Sequence, residues 1–369
     1  MTRRTLSALA ASLFVAACAQ NAPPPPGEPS PPRDVRLVLL GKGPLVIPNR
    51  TQVDGLRAGG LSGIVRAPDG TWLAVVDNEG ETPARVFRLG FTVGEDGVSR
   101  DRQERRVVRE AILLKGLNGK TFDGEGIALV PSETSGNLLV SSEIEPSIRE
   151  FSLAGKLLAT LPVPAPFLAG KGRGVRGNQG FESLTLEPGG AVLWTANERA
   201  LQQDAPDDPA KPSPVRLLRY ERRGEGFAPA AQYVYEVDAI DRPPAEGFKI
   251  RGLAELLAIP GGIGGAGGGL LALEREYVVG RGMTIQLFLV SLAGATDVSG
   301  LDSLAGQSFT PVRKTLVYDF AGAGFLPDNI EGMAWGPPLP DGSPTLVLVS
   351  DNNFELLQQT QIMALRWIE

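Results

Sequence analysis

DNIEGMAWGP (328–337) and, after a short break, LVLVSDNNF (346–354) are the stretch on which the reading of the fold depends. Glu331, next to Gly332, opens an apolar run that stops at Gly336-Pro337. A turn rich in Pro, Gly and Asp follows, and a second apolar run then closes on Ser350-Asp351-Asn352. Two apolar runs of strand length on either side of such a turn read as an antiparallel hairpin, and each run is too short for a helix of ordinary length.

The same unit recurs four more times. Leu61-Ser62-Gly63-Ile64 leads to Val75-Val76-Asp77-Asn78, and Gly124-Glu125-Gly126-Ile127 leads to Ser141-Ser142-Glu143. Phe181-Glu182-Ser183-Leu184 leads to Ala196-Asn197-Glu198, and Leu253-Ala254-Glu255-Leu256 leads to Leu273-Glu274-Arg275. Units spaced roughly every 65 residues suggest the blades of a β-propeller with loop insertions. The expectation is an all-β chain, a propeller of six blades, with five or seven left open. The stretches 217–222 and 233–237 are read as outer strands of one blade or as part of another. A β-sandwich is the alternative, but it does not account for a repeated acidic motif. The propeller is expected over residues 34–369, closed by pairing a first strand near Val35–Ile47 with strands ending at Ile368.

Hairpin geometry then places function. The residue opening the first strand lies beside the residue closing the second, so both acidic positions fall at one end of every blade. Blades are radial, so Asp77, Glu125, Glu143, Glu182, Glu198, Glu255, Glu274, Glu331 and Asp351 should converge on one rim. Like charges at this density raise one another's pKa and oppose folding unless cations, or arginines such as Arg199 and Arg275, neutralise them. The plainer reading is that individual carboxylates cap turns or accept N–H bonds between blades.

Composition narrows the chemistry. Gly (46) and Pro (31) are abundant without a Gly-X-Y period, which favours turns over long helices. The chain has no His, which excludes a Ser-His-Asp triad and the His-rich site of a catalytic zinc enzyme. A single Cys excludes an intrachain disulfide and a CxxC metal motif, so any metal must be held by oxygen, which points to calcium or magnesium. No GxSxG nucleophile elbow is present either.

At the amino terminus, two arginines precede an apolar run, Leu6 to Ala17, that is too short to span a bilayer. Val15-Ala16-Ala17-Cys18 resembles a bacterial lipobox, in which Cys18 would be lipidated as the first mature residue. Residues 1–17 then form the signal peptide and 18–33 a lipidated, proline-rich tether. The alternative is a soluble periplasmic protein cut after Ala17 or Ala19, and Arg3-Arg4 reads as an ordinary n-region rather than a twin-arginine signal. The expected location is the outer membrane, facing the periplasm, with membrane contact through the lipid alone. A net charge of −6 and no Lys/Arg cluster argue against nucleic acid, and a monomer is expected.

Together the strings NQGFESLTLEPGG (178–190), LLALEREY (270–277), DNIEGMAWGP and LVLVSDNNF resemble the phytase-like, or "esterase-like activity of phytase", family of exported bacterial propellers, from about Leu56 to Ile368. The resemblance implies a propeller and an ester- or phosphoester-cleaving activity. Better understood β-propeller phytases hold several calcium ions through carboxylates and need no histidine. The leading expectation is therefore a calcium-dependent hydrolase of phosphate esters or related esters, acting on a small anionic substrate. Its catalytic carboxylates would be Glu182 and Glu331, its metal ligands Glu125, Glu143, Glu182, Glu274, Glu331 and Asp351, and its substrate-binding groups Arg176, Arg199 and Arg275. The alternatives are a non-enzymatic envelope propeller binding a ligand or protein, and a calcium lactonase-like enzyme.

Some motifs suggest chemistry they do not carry. The GxGxxG matches at 172–177 and 262–267 are followed by no helix and read as loops rather than dinucleotide sites, the first a basic one with Lys171, Arg173 and Arg176, just before Glu182, where an anionic substrate could be met. Asp204 to Pro214 lacks the glycine and terminal Glu of an EF-hand and reads as a solvated insertion.

Overall fold

The segment Trp72–Val76, WLAVV, is buried along its whole length. A strand alternates its side chains between two faces, so an unbroken apolar run requires a neighbour on each. In this computed structural model, Trp72, Ala74 and Val76 pack with Val347, Val349 and Ile362 on one side. Leu73 and Val75 pack with Ile127, Leu138 and Val140 on the other. The structure describes residues 35–77, 83–101, 105–117, 122–131, 136–261 and 269–369. The export segment, Cys18, the proline spacer, Asn78 and the glycine turn at 262–267 lie outside the described residues.

The described residues form five antiparallel blades, four of four strands and one of five, in which Leu45–Ile47 also pairs with Thr360–Ile368. Blade 1 comprises Leu61–Arg66, Trp72–Val76, Arg85–Leu89 and Val108–Leu113; blade 2 comprises Gly124–Val130, Asn137–Ser142, Ser147–Ser152 and Leu157–Thr160. Blade 3 comprises Thr185–Leu186, Val192–Ala196, Ser213–Arg223 and Gly226–Val237; blade 4 comprises Lys249–Ala258, Leu270–Val278, Gly282–Ser291 and Arg313–Asp319. Blade 5 joins Asn329–Trp335, Thr345–Asp351 and Thr360–Ile368 to the early strand Arg36–Leu39, which pairs from Arg36↔Ile368 to Leu39↔Leu365. The early strand thus meets the C-terminal strand, as the sequence suggested.

The favoured number of six blades gives way to five, within the range left open. The reason lies in blade 3, where the long strands Ser213–Arg223 and Gly226–Val237 pair with each other and with Val192–Ala196. The stretches that suggested extra blade material are therefore the outer strands of a blade already counted.

The five inner strands approach one another closely. An added Cβ on Gly63 would sit 2.4 Å from the Glu125 carbonyl, one on Gly126 2.3 Å from the Leu184 nitrogen, and one on Gly332 2.8 Å from the Ser62 carbonyl. Only a residue without a side chain fits there. Between blades 3 and 4 a side chain bridges instead: Glu255 Oε1 accepts from the Leu184 N–H (3.3 Å) and the Leu256 N–H (2.9 Å). The Met333 N–H of blade 5 donates to it too, and burial, opposed by these bonds, pushes its pKa well above the ordinary range. Glu255 is thus an inter-blade strut, in line with the plainer reading of such carboxylates.

Asp204 is not part of a solvated insertion. It is buried in a two-point ion pair with Arg216 (2.7 and 2.9 Å), and Arg216 also donates to the Leu301 carbonyl. The segment that follows Leu301 covers the outer edge of blade 3, with Val312 N–H donating to the Val234 carbonyl at 2.8 Å. The exposed residues of this insertion are Pro206, Asp207, Ala210, Lys211 and Pro212.

Candidate metal centre

Each inner strand carries one irregularity in its register. Register shifts fall between Leu61 and Gly63, Gly124 and Ile127, Leu253 and Glu255, and Ile330 and Gly332. A β-bulge re-aims a side chain and ends regular pairing. In blade 3 the bridge Phe181↔Asn197 precedes Thr185↔Trp194, which gives the same extra residue. Ser62, Glu125, Glu182, Ala254 and Glu331 therefore occupy equivalent opening positions. The residue just past the partner of the residue before each shift is Asp77, Glu143, Glu198, Arg275 and Asp351.

This register corrects two residues of the expected rim. Glu255 is one position beyond the opening residue Ala254, and Glu274 one position before the closing residue Arg275. Successive side chains on a strand point to opposite faces. Glu274 accordingly lies in a separate network, bonded to the Tyr235 hydroxyl (2.8 Å), Arg251 (2.7 Å) and Lys314 (2.5 Å).

The remaining acids converge. One carboxylate oxygen each from Glu125, Glu143 and Glu182 lies within 4.8 Å of the others, and the same holds for Asp77, Asp123 and Glu125. Glu125 and Glu143 are each 3% exposed and Glu182 8%. Glu125 Oε1 is buried without a hydrogen-bond partner. Burial, then the charges of Asp77 and Glu143, push Glu125 well above the carboxylate range. Glu143 is raised to about 8 by burial, although its hydrogen bond with Glu182 opposes this. Burial, then Glu143 and Glu198, push Glu182 well above as well. Asp123 was missed by the sequence reading because it stands just before the repeated motif rather than inside it.

On the other side of the ring the protein supplies its own cation. Arg275 donates to Glu331 (2.6 Å), Glu198 (2.9 Å) and the Asn329 side-chain carbonyl (3.0 Å). Glu331 also accepts from Asn329 Nδ2 (2.8 Å) and Ser62 Oγ (3.1 Å). Burial raises the Glu331 pKa and Arg275 opposes it. Asp351, pushed well above the ordinary range by burial and then by Glu331, leaves Oδ2 buried without a partner.

The other expected substrate arginines are engaged elsewhere. Arg199 is bound to Asp207 (2.8 and 3.0 Å) and to the Arg251 carbonyl. Arg176 braces its loop through the Ala200 and Ala205 carbonyls. Neither makes a hydrogen bond to the central acids.

The donor set fits a hard divalent cation. Calcium takes oxygen ligands at about 2.3–2.6 Å, so two ligands of one ion stand up to roughly 5 Å apart, the spacing found here. An orphaned carboxylate oxygen and mutually raised pKa values are what a cation held by these oxygens would compensate.

Fold and site together define a five-bladed propeller with a buried carboxylate cluster at the centre of its ring. The chain belongs to the phytase-like family, described as "esterase-like activity of phytase", whose pattern it matches over residues 56–354. Among solved structures it is similar to a putative oxidoreductase (glucose dehydrogenase) from Thermus thermophilus, at 16% identity over 90% of this chain and 100% of that one, TM-score 0.39. It is also similar to the PQQ-bound aldose sugar dehydrogenase of Streptomyces coelicolor, at 12% identity over 92% of this chain and 100% of that one, TM-score 0.39. The Dos1 propeller is 8% identical over 82% of this chain and 67% of that one, TM-score 0.36. No curated protein matches the chain.

Proposed function

We propose that the protein is an exported, lipid-anchored hydrolase of phosphate esters or related anionic esters that depends on calcium held by Glu125, Glu143 and Glu182. The observation that carries this reading is the convergence of three buried carboxylates, one with an orphaned oxygen, in a chain without histidine. A calcium ion bound there would polarise a phosphoryl or acyl oxygen and lower the pKa of water. Glu182 is the most exposed of the three, and burial raises its pKa, so it is the carboxylate of the three best placed to exchange a proton with a reacting group. Glu331, saturated by Arg275, Asn329 and Ser62, balances charge in this reading rather than transferring protons.

The test is turnover of phytate, aryl phosphates, aryl esters and lactones by purified mature protein with calcium and after chelation. Hydrolysis of a phosphate or carboxylic ester, lost on chelation and reduced at least tenfold in Glu182→Gln, is expected. Lactone turnover alone would point to a lactonase, and no turnover on any class to a ligand-binding envelope propeller. Anchoring is tested separately, by palmitate labelling present in wild type and absent in Cys18→Ser.

A further inference from the structure

Blade 4 breaks the pattern of the ring. Its opening position is Ala254 where three other blades have Glu and one has Ser, and its closing position is Arg275 where the other four have Asp or Glu. It brings no acid to the centre and one guanidinium. That guanidinium holds Glu198 of blade 3 and Glu331 of blade 5, at 2.9 and 2.6 Å. No described Lys or Arg makes a hydrogen bond or ion pair with Glu125, Glu143 or Glu182; Arg275 reaches Glu182 through its charge alone.

We infer that Arg275 is a built-in substitute for a metal ion. It occupies the part of the ring between blades 3 and 5, so that exchangeable cations are confined to the side formed by blades 1 to 3. A fixed guanidinium with planar, forked donors neutralises two carboxylates and fixes their geometry without a solution ion. The consequence is a limit on stoichiometry. Arg275 holds Glu198 and Glu331, and Asp351, whose charge neighbour is Glu331, has Oδ2 buried without a partner, so removing the guanidinium leaves three buried carboxylates with no counter-charge but a solution cation. The inference rests on the proposed calcium site for its contrast but concerns the opposite side of the ring.

The experiment counts calcium ions per chain by equilibrium dialysis on metal-stripped wild type, Arg275→Met, Arg275→Lys and Arg275→Met/Glu331→Gln, with melting temperature recorded at each calcium concentration. Arg275→Met should melt lower without calcium, recover with it, and bind one ion more than wild type. Arg275→Lys should keep the wild-type count, and the double variant should bind the extra ion at least tenfold more weakly. A folded Arg275→Met with the wild-type count overturns the inference, as does one that calcium cannot restore to the folded state. If wild type binds no calcium while Arg275→Met binds one ion, the inference stands and the proposed hydrolytic site fails.

Discussion

Glu125 belongs to both carboxylate triplets, and one of its oxygens has no partner. Glu125→Gln preserves shape and removes the charge that its neighbours raise. The metal-free variant should therefore be at least as stable as metal-free wild type, because Gln carries no charge for Asp77 and Glu143 to repel. Its calcium affinity should fall at least tenfold in a direct titration. At the residue scale the sequence was partly legible: acids flanked by glycine marked Glu125, Glu182 and Glu331, and their repetition marked the centre. Glu255 and Glu274 were placed at the rim because acidity, rather than strand register, guided the comparison in blade 4. A shift of one residue turns a side chain to the opposite face. Asp123 carried no repeat signal, and the role of Arg275 depends on neighbours 56 and 77 residues away in sequence.

At the scale of elements, the bulged inner strand and its hairpin partner are the working unit. Its glycines are set by contact between blades, as at Gly126, where an added Cβ would sit 2.3 Å from a backbone nitrogen. Gly126→Ala should cost about 3 kcal/mol, near the upper end of overpacking effects. Gly226→Ala, with nothing within 4 Å of the added carbon, should change stability little. Equal denaturation midpoints for the two would contradict the tight inner ring. Hairpins were legible because turn residues punctuate apolar runs. Blade boundaries were less so, because the assignment of Ser213–Arg223 and Gly226–Val237 to an existing blade depends on pairing with Val192–Ala196 rather than on local pattern.

For the molecule as a whole, five inter-blade cores close on themselves through the pairing of Arg36–Leu39 with Thr360–Ile368. Removing residues 340–369 takes away two strands of blade 5 and the partner of the closing strand, so the entire propeller should lose cooperative unfolding. A stable calorimetric transition in the truncated chain would argue against ring closure. The central acids add a pH dependence. Glu143 is raised from the ordinary 4.5 to about 8, so the metal-free folded chain keeps a proton in this window that the unfolded chain releases. Stability without metal should therefore fall as pH rises from about 4.5 to about 8, and Glu125 and Glu182 act in the same direction. Calcium requires deprotonated ligands, so its stabilising effect should be larger at pH 8 than at pH 5, as melting curves with and without chelator will show.

The most direct test of the central claim is calorimetric titration of metal-stripped protein with calcium at pH 8, in two buffers of different ionisation enthalpy. The account predicts binding with a Kd on the order of 10⁻⁴ M or tighter, accompanied by proton release and weakened at least tenfold in Glu125→Gln. No binding heat up to millimolar calcium, or equal affinity in wild type and Glu125→Gln, would contradict it.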